Sequence, residues 1–468
     1  MRETNGLKIP KENRLKDFFL FQKDEFGILW DKLTLNIYSL DQKHIEIYKQ
    51  LLKIEDEKEI ENFVIKKISE FPQLKSEFNE LFQESSFKDE SKNLRRLNLL
   101  ISQRCPLGCL YCYAQKGTYG NSSFMAKQMV KKSLESFFSV FDSVEMVQFF
   151  GGEPLLNIDL IEYTINLFEE LFHKKIIQRK PNFLVESGLG ISKENLEEFI
   201  ELLKVHPEIK VTVSCDGPAE IHNYLRPYAN GNPSYNKVIE NLNILKGYGQ
   251  PHAIEVTYTK IHYDVGILPS DLIKYFKNEL GLKDSLIFVV PVISKDPSLS
   301  LPIDIETKIL HEYEANMIMS LREGSFDEKY SLEELNQHIE YNILSAAPTK
   351  YFCDGGIASY TIDTCGNIYP CHMLVGIEKF RIGNINESIE KFKMDLVNYA
   401  NMQKAIVEKS KYEQCEGCFL QNYCSGCPSA NYLLTGNMDP TFSCCNIQRQ
   451  VIKDLLFEYI KNTVKGEK

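Results

Sequence analysis

Strand-like and helical patterns alternate six times along the middle of this chain, between residues 97 and 322. Short apolar runs predict strands, and longer segments with a periodicity of about 3.6 residues predict helices between them. This alternation favours a parallel sheet, because parallel strands need a long crossover that is usually a helix. We therefore expect an α/β fold built on a partial (β/α)6 TIM barrel. The predicted strands are Leu97–Ser102, Glu145–Phe150, Asn182–Glu186, Val211–Ser214, Ala253–Thr259 and Leu286–Pro291.

Three cysteines follow the first predicted strand directly, at the end of a parallel strand where active sites lie. Cys105, Cys109 and Cys112 have the spacing CxxxCxxC, and Tyr111 precedes the third of them. Three thiolates on one loop can ligate three irons of a 4Fe–4S cluster, which normally takes four cysteines. The fourth iron would be open to bind another molecule. A structural zinc site is the alternative.

A Gly-Gly-Glu-Pro segment, at residues 151–154, follows the second predicted strand. Two glycines let backbone groups approach a ligand closely. By itself the segment would be a plain turn between a strand and a helix. With the cysteine loop, it makes residues 95–322 resemble the radical S-adenosylmethionine (SAM) enzymes. That resemblance implies that SAM chelates the open iron. An electron from a reduced flavodoxin- or ferredoxin-type donor then cleaves SAM to a 5′-deoxyadenosyl radical, which abstracts hydrogen from a substrate.

The same resemblance implies which residues contact SAM. Ser214 would contact the ribose and Arg226 the methionyl carboxylate, to which a guanidinium can donate two parallel hydrogen bonds. Relatives usually carry Thr-Asn-Gly after the third strand, whereas this chain has Glu-Ser-Gly at residues 186–188, which leaves the role of Ser187 open. Strand alternation turns Cys215 away from the site. The implied contacts are Tyr111, Gly151, Gly152, Glu153, Pro154, Ser187, Ser214, Asp216 and Arg226.

Nine of the 13 cysteines lie between residues 353 and 445. A pair of zinc ribbons is one explanation for CxxC pairs. The segment also resembles the SPASM domain, which holds two auxiliary iron–sulfur clusters and would bring the total to three 4Fe–4S clusters. By that resemblance, the first auxiliary cluster would be held by Cys353, Cys371 and Cys427, with Cys365 as a fourth ligand or with an open iron. The second would be held by Cys415, Cys418, Cys424 and either Cys444, which we favour, or Cys445.

Residues 1–92 contain three strand-like runs followed by three helical stripes. This order resembles the RiPP recognition element, a winged-helix-like domain related to the pyrroloquinoline quinone chaperone. The resemblance implies that the leader of a ribosomally made precursor peptide adds as a strand to the edge at residues 34–40, beside Thr34, Asn36 and Tyr38. The alternatives are an extension without a ligand and a DNA-binding winged helix. The net charge of −11 disfavours nucleic-acid binding.

Bulk properties limit the location of the protein. No apolar run approaches the roughly 18 residues of a membrane span, and the N-terminus has no apolar signal core. We therefore expect a cytoplasmic protein without membrane contact. Cysteines in that compartment are metal ligands more often than disulfide partners.

The sequence thus predicts three domains: a leader-binding domain (1–92), the barrel (93–322), and a bridging helix with the SPASM domain (323–468). The predicted function is that of a radical SAM oxidoreductase that matures a precursor peptide by forming a thioether from a cysteine. A spacing of two residues between Cys424 and Cys427, where SPASM domains usually have three, favours the thioether. Carbon–carbon cross-linking, epimerisation, sulfatase maturation and a non-enzymatic iron–sulfur sensor stay open. His372 and Cys365 are the candidate catalytic residues. His372 stands where sulfatase-maturating relatives have an aspartate base, which counts against that activity.

Overall fold

The computed structural model describes residues 2–4, 7–9, 12–82, 92–302, 305, 309, 343–344, 346–442 and 445–466. Its strands are β1 (Arg2–Thr4), β2 (Leu7–Ile9), β3 (Phe18–Lys23), β4 (Phe26–Asp31), β5 (Ile37–Leu40), β6 (Asn93–Ser102), β7 (Ser143–Gly151), β8 (Asn182–Ser187), β9 (Lys210–Ser214), β10 (Ala253–Tyr258), β11 (Leu286–Pro291), β12 (Ser359–Ile362), β13 (Asn367–Tyr369) and β14 (Gly383–Asn384). Its α-helices are α1 (Glu12–Leu15), α2 (Gln42–Leu51), α3 (Glu57–Glu70), α4 (Leu74–Leu81), α5 (Lys127–Phe137), α6 (Ile158–His173), α7 (Lys193–Val205), α8 (Ala219–Leu225), α9 (Tyr235–Lys246), α10 (Lys260–Asp264), α11 (Pro269–Lys274), α12 (Ile389–Val407), α13 (Pro428–Thr435) and α14 (Cys445–Gly466).

The six strands predicted for the barrel are all present and lie side by side in sequence order, β6 to β11, every neighbouring pair parallel. This confirms an α/β fold with a parallel sheet. The first strand begins four residues earlier than predicted, at Asn93. Asn93–Arg96 are mostly polar but pair with Ser143–Met146 through the backbone, which hydrophobic patterning does not reveal.

The two faces of this sheet differ in polarity. On β6, Leu97, Leu99 and Ile101 are fully buried in the large apolar cluster formed with the surrounding helices. Asn98, between them, points to the opposite, inner face, because side chains alternate along a strand. The same alternation places Gln148, Glu186, Thr212 and Glu255 on the inner face of the next four strands. The barrel therefore has an apolar outer face and an inner face that carries the polar side chains.

The C-terminal part of the chain extends the barrel sheet to nine strands. β12 pairs in parallel with β6, Ser359 opposite Arg96, and β13 and β14 follow as antiparallel strands. This extension was not predicted, because these strands have only two to four residues. Residues 323–342, at the start of the segment predicted to contain the bridging helix, lie outside the described residues.

The N-terminal three-stranded antiparallel sheet and helices α2–α4 were predicted, but the third strand begins three residues late. Thr34 and Asn36 lie in the preceding turn, so of the three proposed edge residues only Tyr38 is in β5. The reason is the buried carboxylate of Asp31, which accepts hydrogen bonds from Leu33 N (3.0 Å) and Thr34 Oγ1 (2.6 Å). These bonds hold a tight turn in which Leu35 has φ = 62°. A further hairpin, β1–β2, was not predicted; its second strand lies against α4.

Both faces of the N-terminal sheet are covered. Phe18 and Leu20 face α2–α4, whereas Phe19 and Phe21, the alternate residues, face the C-terminal segment. There Phe419 packs against three aromatic rings, with centroid distances of 4.9 Å to Phe21, 5.5 Å to Trp30 and 6.1 Å to Phe19. Apolar side chains of α14 pack into the same cluster as Phe419 and Trp30.

None of the helices in the described ranges is long and apolar enough to cross a membrane.

The contact at Phe419 can be tested by fluorescence, because Trp30 is the only tryptophan of the chain and is fully buried. We expect Phe419→Ala to lower the free energy of unfolding by about 3–5 kcal/mol, the usual cost of removing a buried phenylalanine. Trp30 emission should move to longer wavelength as water reaches the ring. Phe172→Ala, at a side chain that is 38% exposed on α6, is the control. Unchanged stability and emission in Phe419→Ala would contradict this packing.

Candidate active site

The loop after β6 carries Cys105, Cys109 and Cys112 and is fixed by backbone hydrogen bonds. Gly108 N donates to Pro227 O (2.7 Å) and Leu110 N to Leu225 O (2.9 Å), which joins the loop to the connection after α8. The thiols lie close enough to interact electrostatically: Cys105 interacts with Cys109, and Cys109 interacts with Cys112. Burial raises the pKa of Cys109 to about 11, against the lowering effect of Arg226. The loop therefore gathers three thiols near one cationic side chain.

The Gly-Gly-Glu-Pro backbone packs directly on this loop. Gly152 N donates to Ser102 O and Glu153 N donates to Arg104 O, each at 2.7 Å. A Cβ atom would lie 2.1 Å from Ser102 O if added to Gly151, whose φ is 140°, and 2.4 Å from Arg104 O if added to Gly152. The two glycines are needed for a close approach of the backbone, as predicted. The group that they approach in the structure is the backbone of residues 102–104, before and in the cysteine loop, whereas a ligand was expected.

Glu153 is fully buried and holds the turn after β8. Its carboxylate accepts hydrogen bonds from Leu155 N (3.1 Å), Ser187 Oγ (2.9 Å) and Gly188 N (3.0 Å). Burial raises the pKa of Glu153 to about 7, and these hydrogen bonds oppose the rise. The Ser187 hydroxyl also accepts from Leu189 N, at 2.9 Å. Both side chains are engaged within the protein and shape the turn; their contact with SAM stays a prediction.

Arg226, Tyr111 and Asp216 form a buried network beside Cys109. Arg226 Nη1 donates to the Tyr111 hydroxyl (2.5 Å), which donates to Asp216 Oδ2 (2.5 Å). Asp216 Oδ1 lies 3.6 Å from Arg226 Nη1 and accepts from Thr257 N (3.1 Å). Arg226 Nε is buried without a hydrogen-bond partner among the described residues. A buried, unsatisfied guanidinium donor suits an anionic ligand, so the site fits the carboxylate of SAM.

Ser214 and Cys215, at the end of β9, point to opposite faces. Ser214 pairs in register with Glu255 and lies on the inner face. Cys215 is fully buried in the outer apolar cluster, with its Sγ 3.3 Å from His222 Nδ1. Alternation predicted this difference.

Cys353, Cys371 and Cys427 are electrostatic neighbours of one another. Cys353 Sγ accepts from Gly355 N (3.3 Å), and Cys427 Sγ accepts from Ala430 N (3.4 Å) at the start of α13. Cys365 lies elsewhere. It occupies the tip of the β12–β13 hairpin, where its Sγ accepts from Asn121 Nδ2 (3.1 Å), whereas Cys371 follows the far end of β13. The structure therefore does not bring Cys365 to the first cysteine group; of the two alternatives, a fourth ligand or an open iron, it disagrees with the first.

A second group contains Cys415, Cys418, Cys424 and Cys445, which are again electrostatic neighbours. Cys444, which we favoured as the fourth ligand, lies outside the described residues. Lys409 is almost fully buried beside Cys415 and Cys424, and its Nζ donates to Thr349 O (3.0 Å). Within the described ranges, no three His, Cys, Asp or Glu side chains are arranged to hold a single metal ion.

Beside the candidate His372, the inner face of the barrel carries polar residues, Gln148, Glu186 and Glu255, that were not predicted from the sequence. The ring of His372 lies 4.5 Å from that of Phe150, and burial lowers the pKa of His372 to about 4, so that it is neutral. Glu186 accepts from Gln148 Nε2 (3.1 Å), and burial together with the charge of Glu255 raises the pKa of Glu186 to about 8. The available signal was a polar residue at every second position of an otherwise apolar strand.

Comparison with known proteins agrees with this geometry. Residues 99–264 match the radical SAM superfamily. The chain is 26% identical over 356 residues to a cysteine-type anaerobic sulfatase-maturating enzyme of Clostridium novyi, covering 71% of this chain and 88% of that enzyme. It is 22% identical over 400 residues to the radical SAM cyclopropyl synthase TigE of Paramaledivibacter caminithermalis, covering 79% and 75%.

Two solved structures share the fold. The anaerobic sulfatase maturase anSMEcpe with bound SAM and a peptide superposes with a TM-score of 0.60 at 20% identity, covering 80% of this chain and all of that one. Streptococcus suis SuiB bound to its precursor peptide SuiA gives 0.51 at 15% identity, covering 94% and 99%. Residues 99–264 therefore form a radical SAM domain, in an enzyme whose relatives include maturating enzymes.

Proposed function

We propose that this protein is a peptide maturase that holds a precursor peptide by its leader and forms a thioether from a cysteine. The observation that carries the proposal is that an open sheet edge, β5, and a barrel with a polar interior occur in one chain. SuiB, which shares the fold over 94% of this chain, was crystallised with a precursor peptide. The anaerobic sulfatase maturase shares it over 80%.

In the proposed SAM site, Cys105, Cys109 and Cys112 hold the 4Fe–4S cluster. When bound, the cluster and SAM supply the 5′-deoxyadenosyl radical. Arg226 binds the methionyl carboxylate through its unpaired Nε, while Tyr111 and Asp216 hold the guanidinium in place. Ser214 contacts the ribose from the inner face.

Two further clusters complete the proposed enzyme. Cys353, Cys371 and Cys427 hold one of them. Cys415, Cys418, Cys424 and Cys445 hold the other, with Cys445 in place of Cys444 because its thiol lies beside Cys415 and Cys424. Buried Lys409 fits this assignment, since a cluster with four thiolates is anionic and a cation beside it reduces the cost of burying the charge. We assign these segments to a SPASM domain.

The proposed leader site is the outer edge of β5. In the ladder with β4, Asp31 N donates to Asn36 O, and the pairing continues through Tyr38 opposite Leu29. Because hydrogen-bonded and non-bonded pairs alternate in antiparallel sheets, the amides of Ile37 and Ser39 point outward. An added leader strand would accept hydrogen bonds from them.

A sulfatase-maturating type of enzyme is the second candidate, favoured by the 26% identity to the Clostridium novyi enzyme. It would act on a Cys or Ser of a folded protein's precursor. His372 counts against it, because it stands where those relatives have an aspartate base. With its pKa lowered to about 4 by burial, His372 is neutral and supplies no anionic base.

The proposed reaction predicts a mass change. Under anaerobic co-expression with small cysteine-containing peptides encoded beside its gene, we expect the peptide to lose two hydrogens per modified site. Each site should also lose one thiol that can be alkylated, as measured by intact mass before and after alkylation. Cys105→Ala is the control and should leave the peptide unmodified. Cleavage of SAM without change in any neighbouring peptide would contradict the proposal.

The β5 edge predicts a backbone effect on leader affinity. We expect Ser39→Pro to weaken binding of the fluorescently labelled leader at least tenfold in anisotropy titrations, because proline removes an outward donor and leaves the bonds to β4 intact. Ser39→Ala, which keeps the amide, should bind as wild type does. Equal affinities for the two variants would place the leader elsewhere.

Lys409 predicts a shift in reduction potential. Loss of its positive charge makes the addition of an electron to the neighbouring cluster less favourable, so Lys409→Met should lower the reduction potential of that cluster. The expected change is on the order of 70 mV, which is the effect of one charge about 10 Å away at an effective dielectric constant of about 20. Redox titration followed by electron paramagnetic resonance measures it. Lys411→Met removes a half-exposed charge and should change the potential little. Equal reduction potentials in Lys409→Met and Lys411→Met would contradict the placement of Lys409 beside the cluster.

A further inference from the structure

At Gln148 and Asn98 the inner face of the barrel has an excess of buried hydrogen-bond acceptors, because the side-chain oxygen of each lacks a partner among the described residues. Gln148 is only 5% exposed; its Nε2 donates to Glu186, while its Oε1 has no partner among the described residues. Asn98, opposite Gln148 in register and 4% exposed, donates to Thr361 Oγ1 and likewise leaves its Oδ1 unpaired. Buried acceptors without partners are costly, so the pocket is suited to a ligand that brings donors.

Two carboxyl groups add to this excess. Glu186, on β8, and Glu255, on β10, are close enough that the charge of Glu255 raises the pKa of Glu186. Cationic groups act on both from other elements: Arg96 on Glu186, and Arg226 and His372 on Glu255, where Asp216 opposes them. These cations do not fill the pocket. Arg226 is held by Tyr111 and Asp216, the ring of His372 packs against Phe150, and Arg96 is exposed near the start of β6.

An apolar wall stands beside the carboxyl groups. Phe288 on β11 pairs in register with Glu255, so both side chains lie on the inner face, and Phe288 is 49% exposed. Val290, two residues further on the same strand, also faces inward and is partly exposed. Carboxylates next to an exposed apolar surface match a side chain with an aliphatic stem and a charged end, which is the form of lysine and arginine.

We propose that Glu186, Glu255 and Gln148 form a pocket for a basic side chain of the substrate. Resting on the proposed peptide-maturase function, this assigns a lysine or arginine near the modified residue of the peptide. The ammonium or guanidinium group donates to the two carboxylates and to Gln148 Oε1, and its stem lies along Phe288. The pocket adjoins the proposed SAM site, because Ser214 and Glu255 are register partners on neighbouring strands.

The pocket can be tested without the natural peptide. The probe is n-pentylammonium, an analogue of the lysine side chain, and the matched neutral probe is 1-pentanol; both are titrated calorimetrically into the cluster-loaded enzyme with SAM. We expect the cation to bind at least tenfold more tightly than the alcohol. Glu186→Gln and Glu255→Gln should each weaken binding of the cation at least fivefold and leave binding of the alcohol unchanged.

The control variant is Glu145→Gln, at a half-exposed glutamate on β7 that pairs with Arg179 outside the barrel. It should bind both probes as wild type does. Equal binding of the two probes to wild type, or unchanged binding of the cation in both pocket variants, would overturn the pocket. The peptide mass measurement tests the proposed function independently of this titration. Modified peptides together with equal binding of the two probes would overturn the pocket and leave the proposed function standing.

Discussion

The active site depends on the contact between two backbone segments, the cysteine loop and the Gly-Gly-Glu-Pro turn. Two hydrogen bonds, from Gly152 N to Ser102 O and from Glu153 N to Arg104 O, join the ends of β6 and β7 at a distance that no side chain at residue 151 or 152 would permit. This contact fixes Glu153 in a position from which its carboxylate holds the turn after β8. The ends of three strands are thereby set relative to the three thiols before any cofactor binds.

Strand alternation then separates packing from chemistry. Outward side chains of the barrel strands supply the apolar core with the helices, so the inner face is free to carry groups that would be unfavourable in a core. Carboxyl groups such as Glu186 stay on that face although burial raises their pKa, and a raised pKa reports a group that a cationic partner would stabilise. The interior is thus adapted to bind a charged group, since the outer face already contributes the hydrophobic stabilisation.

The sequence predicted the parts of this protein that local patterns determine. Apolar periodicity and the two motifs were sufficient for the six barrel strands and the radical SAM domain. It failed where a single side chain or a distant partner decides the structure. Asp31 holds a turn that keeps residues 34–36, which were predicted as strand, out of β5. Cys365 is close in sequence to Cys371 but is carried to the other end of a hairpin. Short β12 exists because β6 offers it an edge, and the hydrogen bonds from Ser187 and Gly188 to Glu153 depend on a contact between strands.

Packing also connects the two ends of the chain. Phe419 lies between Cys418 and Cys424 in sequence, and its ring packs against Trp30 on β4, the strand that pairs with β5. The same strand therefore supports the proposed leader edge through its backbone and the second cysteine group through its side chain. Because the outward amides of β5 are directed away from β4, a leader can add to that edge without displacing Trp30 from Phe419. The two functions share a strand but use different groups of it, which is why a substitution at Ser39 and one at Phe419 should have separable effects.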